Sequence, residues 1–261
     1  MRQVWLLAAS VMLLAGCASA PTDGSEVPLL AEVGTETMPL DLEAVVASPL
    51  GMEAARAASG AGRATTVVVS ATLASEATAP GGDLTATERR IVDAVEARSS
   101  EAEAFLRRIV DVNSGTMNLA GVRHVGSMFE KELTELGFET RWTEMPPEMG
   151  RAGHLFAEVD GGSGKRVLLI GHLDTVYESD SPFQSFEMLE DGKARGPGVA
   201  DMKGGDVVIL FALKALADAG ALENARVIVA LLGDEESTGD PLAVSRADLF
   251  DAARRSDAAL G

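Results

Sequence analysis

The chain has 261 residues, of which 46% are apolar, enough to bury the core of one domain with sequence to spare. Its 22 basic and 40 acidic residues give a net charge of −18, which repels phosphate backbones and excludes nucleic acid as an expected partner. A single cysteine excludes a disulfide framework and a cysteine-ligated zinc finger, and with only three histidines any metal site must lean on carboxylates.

In chain order, Met1-Arg2-Gln3 supplies a positive start and Val4 to Ala15 an apolar run. That run is too short to cross a hydrocarbon core of roughly 30 Å as a helix but suits the hydrophobic part of a secretory signal. It ends in Leu14-Ala15-Gly16-Cys17, which resembles the bacterial lipoprotein cleavage box, where the cysteine is acylated and becomes the new N-terminus. The sequence therefore predicts an exported lipoprotein with residues 1–17 as its signal and Cys17 as the lipidation site. Membrane contact is expected through that anchor alone, and Ala18 after the cysteine fits the periplasmic face of an outer membrane. Residues 18–84 are rich in Ala, Gly, Ser, Thr and Pro and hold no aromatic side chain; Trp5 is followed by none until Phe105. Such a segment buries too little surface to offset the entropy of ordering, and it reads as a disordered tether. A marginal helix over 40–58 and a short strand over 65–69 are the local alternatives.

The folded domain is expected over residues 85–261. Thr87-Glu88 opens a long helical pattern with Ile91, Val92, Val95, Ala102, Phe105, Leu106 and Ile109 on one face. Asn118 caps a second helix carrying Val122, Val125, Met128, Phe129, Leu133 and Leu136, stopped by Gly137. Strands are expected near 138–143, 154–159 and 166–170, a helix over 203–219, and a strand buried on both faces over 226–232. A further helix is expected over 241–255. Strands alternating with helices predict an α/β fold with the sheet covered on both sides.

Three clusters sit where strands end, the place at which open α/β sheets gather ligands. His172 and Asp174 follow the strand Leu168-Leu169-Ile170 and, two apart, project to the same side. A lone His-x-Asp is more often a hydrogen-bonded core histidine than a ligand. The second cluster is the glycine-rich stretch from Gly196 to Gly205 around Asp201. A phosphate loop is the rival there, but Asp201 would put negative charge where the anion lies and the Lys-Ser/Thr ending is absent. The third is Asp234-Glu235-Glu236 at the end of the buried strand, where adjacent carboxylates repel unless they share a cation or a proton. An exposed acidic loop is the bland alternative. His124 and His154 match no ligand pattern and read as surface or helix-packing residues.

Together the clusters resemble the zinc-dependent peptidase family that includes glutamate carboxypeptidase, acetylornithine deacetylase, succinyl-diaminopimelate desuccinylase and aminoacylase. The likeness includes Asn113-Ser114-Gly115-Thr116, Gly171 to Tyr177 and Gly196 to Gly205, with 29 residues from His172 to Asp201 and 34 from there to Glu235. It is strongest to the glutamate carboxypeptidase branch. The resemblance implies an α/β/α sandwich with a mostly parallel mixed sheet and an active site holding two zinc ions. His172 would bind one zinc, Asp201 would bridge the two and Glu236 would bind the second. Asp174 would orient His172, and Glu235 would be the general base. The implied reaction is hydrolysis of an amide or peptide bond next to a carboxylate-bearing amino acid, with a peptide or N-acyl amino acid as substrate. N-acyl-amino-acid deacylation, dipeptide hydrolysis and silent peptide binding are the alternatives.

The family also uses an acidic ligand soon after the paired glutamates and a late histidine, with a dimerisation domain inserted between them. The resemblance places the acidic ligand just past Gly261. The chain is therefore expected to be C-terminally truncated, lacking the dimerisation domain and part of the sheet. By itself it is expected to bind zinc weakly and not to turn over, whereas the full-length protein is expected to be a homodimer.

Overall fold

The computed structural model describes residues 84–190 and 192–261. The signal over 1–17 with Cys17, the tether up to residue 83, and the local readings over 40–58 and 65–69 lie outside the described residues. Among those described, no helix is long and apolar enough to cross a membrane.

The long N-terminal helical pattern forms two helices, α1 (Ala86–Ala97) and α2 (Ser99–Val110), broken at Arg98. Thr85 caps α1 with a reciprocal box: its hydroxyl accepts from the Glu88 N–H and the Glu88 carboxylate accepts from the Thr85 N–H. Arg98, at the break, pairs with Asp218 at 2.6 Å, and this pins the bend to the end of α4 (Lys203–Asp218). Both short helices can then lay their apolar stripes against α4. Helix α3 (Leu119–Glu135) starts at Asn118, whose side chain accepts from the Gly121 N–H. Phe105 meets Phe129 edge-on at 5.2 Å and Phe211 at 6.3 Å, so one aromatic cluster joins α2, α3 and α4.

The main sheet comprises β1 (Glu139–Thr143), β2 (His154–Asp160), β3 (Arg166–His172), β6 (Arg226–Leu232) and β7 (Ala258–Leu260) in the order β1-β2-β6-β3-β7. It is mixed: β3 runs parallel to β6 and β7, while β2 runs antiparallel to β1 and β6. Period-two alternation sorts its side chains cleanly. Leu155, Ala157, Leu169, Val227, Val229 and Leu231 join the large core beneath α1 to α4. Phe156, Leu168, Ile228 and Ala230 face the other way, against Leu249 and Ala252 of α6 (Ala247–Arg254). The helix expected over 241–255 is divided between α5 (Leu242–Ser245) and α6, and a two-stranded ribbon, β4 (Glu187–Met188) with β5 (Ala194–Arg195), appears where no strand was expected.

The parallel pair β3–β6 matters most for the site. His172 is in register with Leu232, so the segments after the two strands leave the sheet side by side.

Candidate metal centre

His172 ends β3 with 4% of its surface exposed. Its Nδ1 lies 3.0 Å from the Asp174 carbonyl oxygen and 3.5 Å from Asp174 Oδ1, which turns Nε2 outward. That nitrogen lies 3.0 Å from Asp201 Oδ1 and 3.8 Å from Glu235 Oε2. Burial acts to lower the imidazole pKa, but the hydrogen bonds that Asp174 and Asp201 accept, with the charges of Asp206 and Asp174, outweigh it and push it up to about 10.

Asp174 is fully buried and organises the centre. Its Oδ1 accepts from the Glu235 N–H at 3.0 Å, and its Oδ2 from the Glu236 N–H at 3.1 Å and the Thr116 hydroxyl at 2.7 Å. The turn after β6 is thereby held onto the turn after β3. Thr116 reaches this position because Gly115 and Thr175 form a parallel bridge, with the Ser114 hydroxyl donating to the Leu173 carbonyl at 2.8 Å. The Asn-Ser-Gly-Thr stretch thus forms a third wall of the site. Its role was not legible from residue type alone, since Thr116 matters only once the chain returns beside Asp174.

Ligand atoms of His172, Glu235 and Glu236 all fall within 4.8 Å of one another. Asp201, its side chain 76% exposed, approaches through His172. Burial, reinforced by the charges of Asp201, Glu235 and Asp174, pushes the Glu236 carboxyl up to about 7. This crowding of negative charge is what a divalent cation relieves, and an imidazole nitrogen with carboxylate oxygens is a donor set that fits zinc. The structure therefore brings His172, Asp174, Asp201, Glu235 and Glu236 to one place.

Other residues turn out differently from the sequence reading. Asp234, the first acid of the run, points into the interior. His154 is neither superficial nor helical; it is wholly buried on β2, because its strand is central and both ring nitrogens find backbone partners. The first turn of α4 holds two fully buried ionisable side chains that the sequence pattern does not mark. Lys203 donates to the carbonyls of Ile109 and Val112 at 2.8 and 2.9 Å, tying the start of α4 to the end of α2. Asp206 lies fully buried beneath Gly171, and burial holds its carboxyl well above the usual carboxylate range.

An α/β sheet that delivers one imidazole and three carboxylates to the ends of adjacent parallel strands defines a metal-site scaffold. Residues 168–261, which contain every one of these groups, match the sequence model of Peptidase family M20/M25/M40. Carboxypeptidase G2 from Pseudomonas sp. (strain RS-16) is 36% identical over 132 residues, covering 50% of this chain and 31% of that protein. A probable succinyl-diaminopimelate desuccinylase from Staphylococcus epidermidis is 39% identical over 88 residues, 31% of this chain and 21% of that protein. The alignments thus span a third or less of the curated relatives' length. Among solved structures, the di-peptidase Dug1p from Saccharomyces cerevisiae superposes with a TM-score of 0.55 at 16% identity, over 66% of this chain and 40% of that one. Human carnosine dipeptidase 1 gives 0.54 at 18% over the same shares. At those identities the structural likeness speaks for the fold alone.

Proposed function

We propose that this domain belongs to a zinc-dependent hydrolase that cleaves an amide or peptide bond next to a carboxylate-bearing amino acid. The observation that carries the reading is the meeting of His172, Asp201, Glu235 and Glu236 around the Asp174 clamp. His172, Asp201 and Glu236 are the residues that would hold the zinc. Zinc bound there supplies a Lewis acid that polarises a carbonyl and acidifies water. Asp174 holds the imidazole with Nε2 facing the site. Glu235, about half exposed, takes a proton from the attacking water and returns it to the leaving nitrogen. The likeness to Carboxypeptidase G2 favours a peptide or N-acyl conjugate ending in glutamate as substrate. The shorter likeness to a probable succinyl-diaminopimelate desuccinylase favours N-acyl-amino-acid deacylation as the second reading.

The complete protein is proposed to be an exported lipoprotein anchored through Cys17 and to act as a homodimer. Zinc titration of His172→Ala and Glu235→Gln tests the roles. The first is expected to lose zinc, and the second to keep it while the complete enzyme loses turnover of an N-acyl glutamate. Zinc retained by His172→Ala, or turnover retained by Glu235→Gln, would overturn the assignment.

A further inference from the structure

Asp234 opens the acidic run, yet its carboxylate faces away from Glu235 and Glu236 and is fully buried. Its Oδ1 accepts from Arg246 Nη1 at 2.5 Å, and its Oδ2 from the Ser245 hydroxyl at 2.7 Å and the Gly239 N–H at 2.8 Å. Arg246, itself buried, donates through Nη2 to the Asp234 carbonyl at 3.3 Å and the Thr238 hydroxyl at 3.1 Å. His154 completes the group. The Gly233 N–H donates to its Nδ1 at 3.1 Å, and its Nε2 lies 2.8 Å from the Ser245 carbonyl oxygen. An amide N–H only donates and a carbonyl only accepts, so these partners fix His154 as the neutral ring with its proton on Nε2.

The segment 233–239 is therefore gripped at Gly233, Asp234, Thr238 and Gly239 from the side opposite the metal centre. Glu235 and Glu236 lie between those grips, with their own N–H groups on Asp174. A buried ion pair is weak evidence for stability, since apolar residues of the same volume serve as well or better. What it supplies here is direction. We propose that Asp234, Arg246, Ser245 and His154 are positioning residues that aim Glu235 and Glu236 into the metal centre from behind. This inference rests on the reading of those glutamates given above.

Arg246→Lys and the double variant Asp234→Asn/Arg246→Met, compared with the unaltered chain, test it by backbone hydrogen exchange and by zinc titration. The lysine keeps the buried cation and with it the fold. The double variant removes both charges and is expected to melt near the parent temperature. In both, exchange over 233–239 is expected to accelerate while β3 and β6 keep their protection, and zinc affinity is expected to fall about 10- to 100-fold, as for other groups that orient ligands. A purely structural role predicts that affinity and loop protection recover with the melting temperature in the double variant, and that result would overturn the proposal. So would acceleration spread evenly over β3 and β6. If the unaltered chain bound no zinc, the metal reading would fall, and the exchange pattern over 233–239 would still decide the positioning claim.

Discussion

Asp174 meets three donors with two oxygens, and none of the three lies in its sequence neighbourhood. An asparagine there keeps the shape but turns one acceptor into a donor facing an N–H or a hydroxyl. Leaving a buried donor unmatched costs about 1–3 kcal/mol. Asp174→Asn is therefore expected to lower the melting temperature and to weaken zinc binding about 10- to 100-fold, the usual effect of removing a ligand's support. Thermal melts paired with zinc titration check both, and an unchanged melt would remove the clamp from the account. His154 sets a pH dependence of its own. Burial lowers its pKa, against the opposing charge of Asp234, and Arg246 adds to the lowering. The folded state therefore resists a proton that the unfolded chain accepts near pH 6.5, so His154's contribution is complete above that pH and declines as pH falls through it. His154→Gln is expected to flatten the fall of stability as pH drops below about 6.5, measured by denaturant unfolding. At this scale the sequence singled out His172, Asp174, Asp201, Glu235 and Glu236 as clusters at strand ends, and their roles followed only from the family resemblance. It did not reveal Thr116, Arg246 or the burial of His154, whose partners are donated by distant segments.

Strand β6 was legible to the residue, since a continuous apolar run bounded by charges and glycine has few other fates. The helices were legible as faces but not as pieces. The three-four periodicity of residues 86–110 continues across Arg98, and only the docking of α1 and α2 on a common partner, with Arg98 held by Asp218, makes the break visible. The ribbon β4–β5 is two residues to a strand and offers no alternation to read. Between β3 and α4 the tightest point is Gly171, where an added Cβ would lie 2.0 Å from Asp206 Oδ1. Because Asp206 is fully buried, the clash must be relieved by turning its carboxylate within the core, moving α4 or bending β3. Gly171→Ala is expected to destabilise by about 1–3 kcal/mol, the range for overpacking a core. Equilibrium unfolding in urea measures it, and a neutral result would mean that α4 shifts freely over the sheet.

For the molecule as a whole, the acidic balance and the metal centre are linked. Carboxylates gathered on a chain of net charge −18 repel one another, and a cation that binds only the folded form stabilises it by mass action. Zinc at about one hundred times its dissociation constant is expected to add roughly 2.7 kcal/mol, read as a rise in melting temperature that chelation reverses. His172→Ala is expected to abolish that rise, whereas a rise of equal size in the variant would place the ion elsewhere.

The α/β class, the buried strands and the spacing of His172, Asp174, Asp201, Glu235 and Glu236 are written in the chain itself, because periodicity and residue chemistry are local properties. Which carboxylates of the acidic run face the candidate metal centre, and which is its buried anchor, is set by contacts between distant segments. Asp234, Glu235 and Glu236 are chemically alike in the sequence. Their difference arises when Arg246 approaches from one side and Asp174 from the other, and both contacts exist only after the chain has closed on itself.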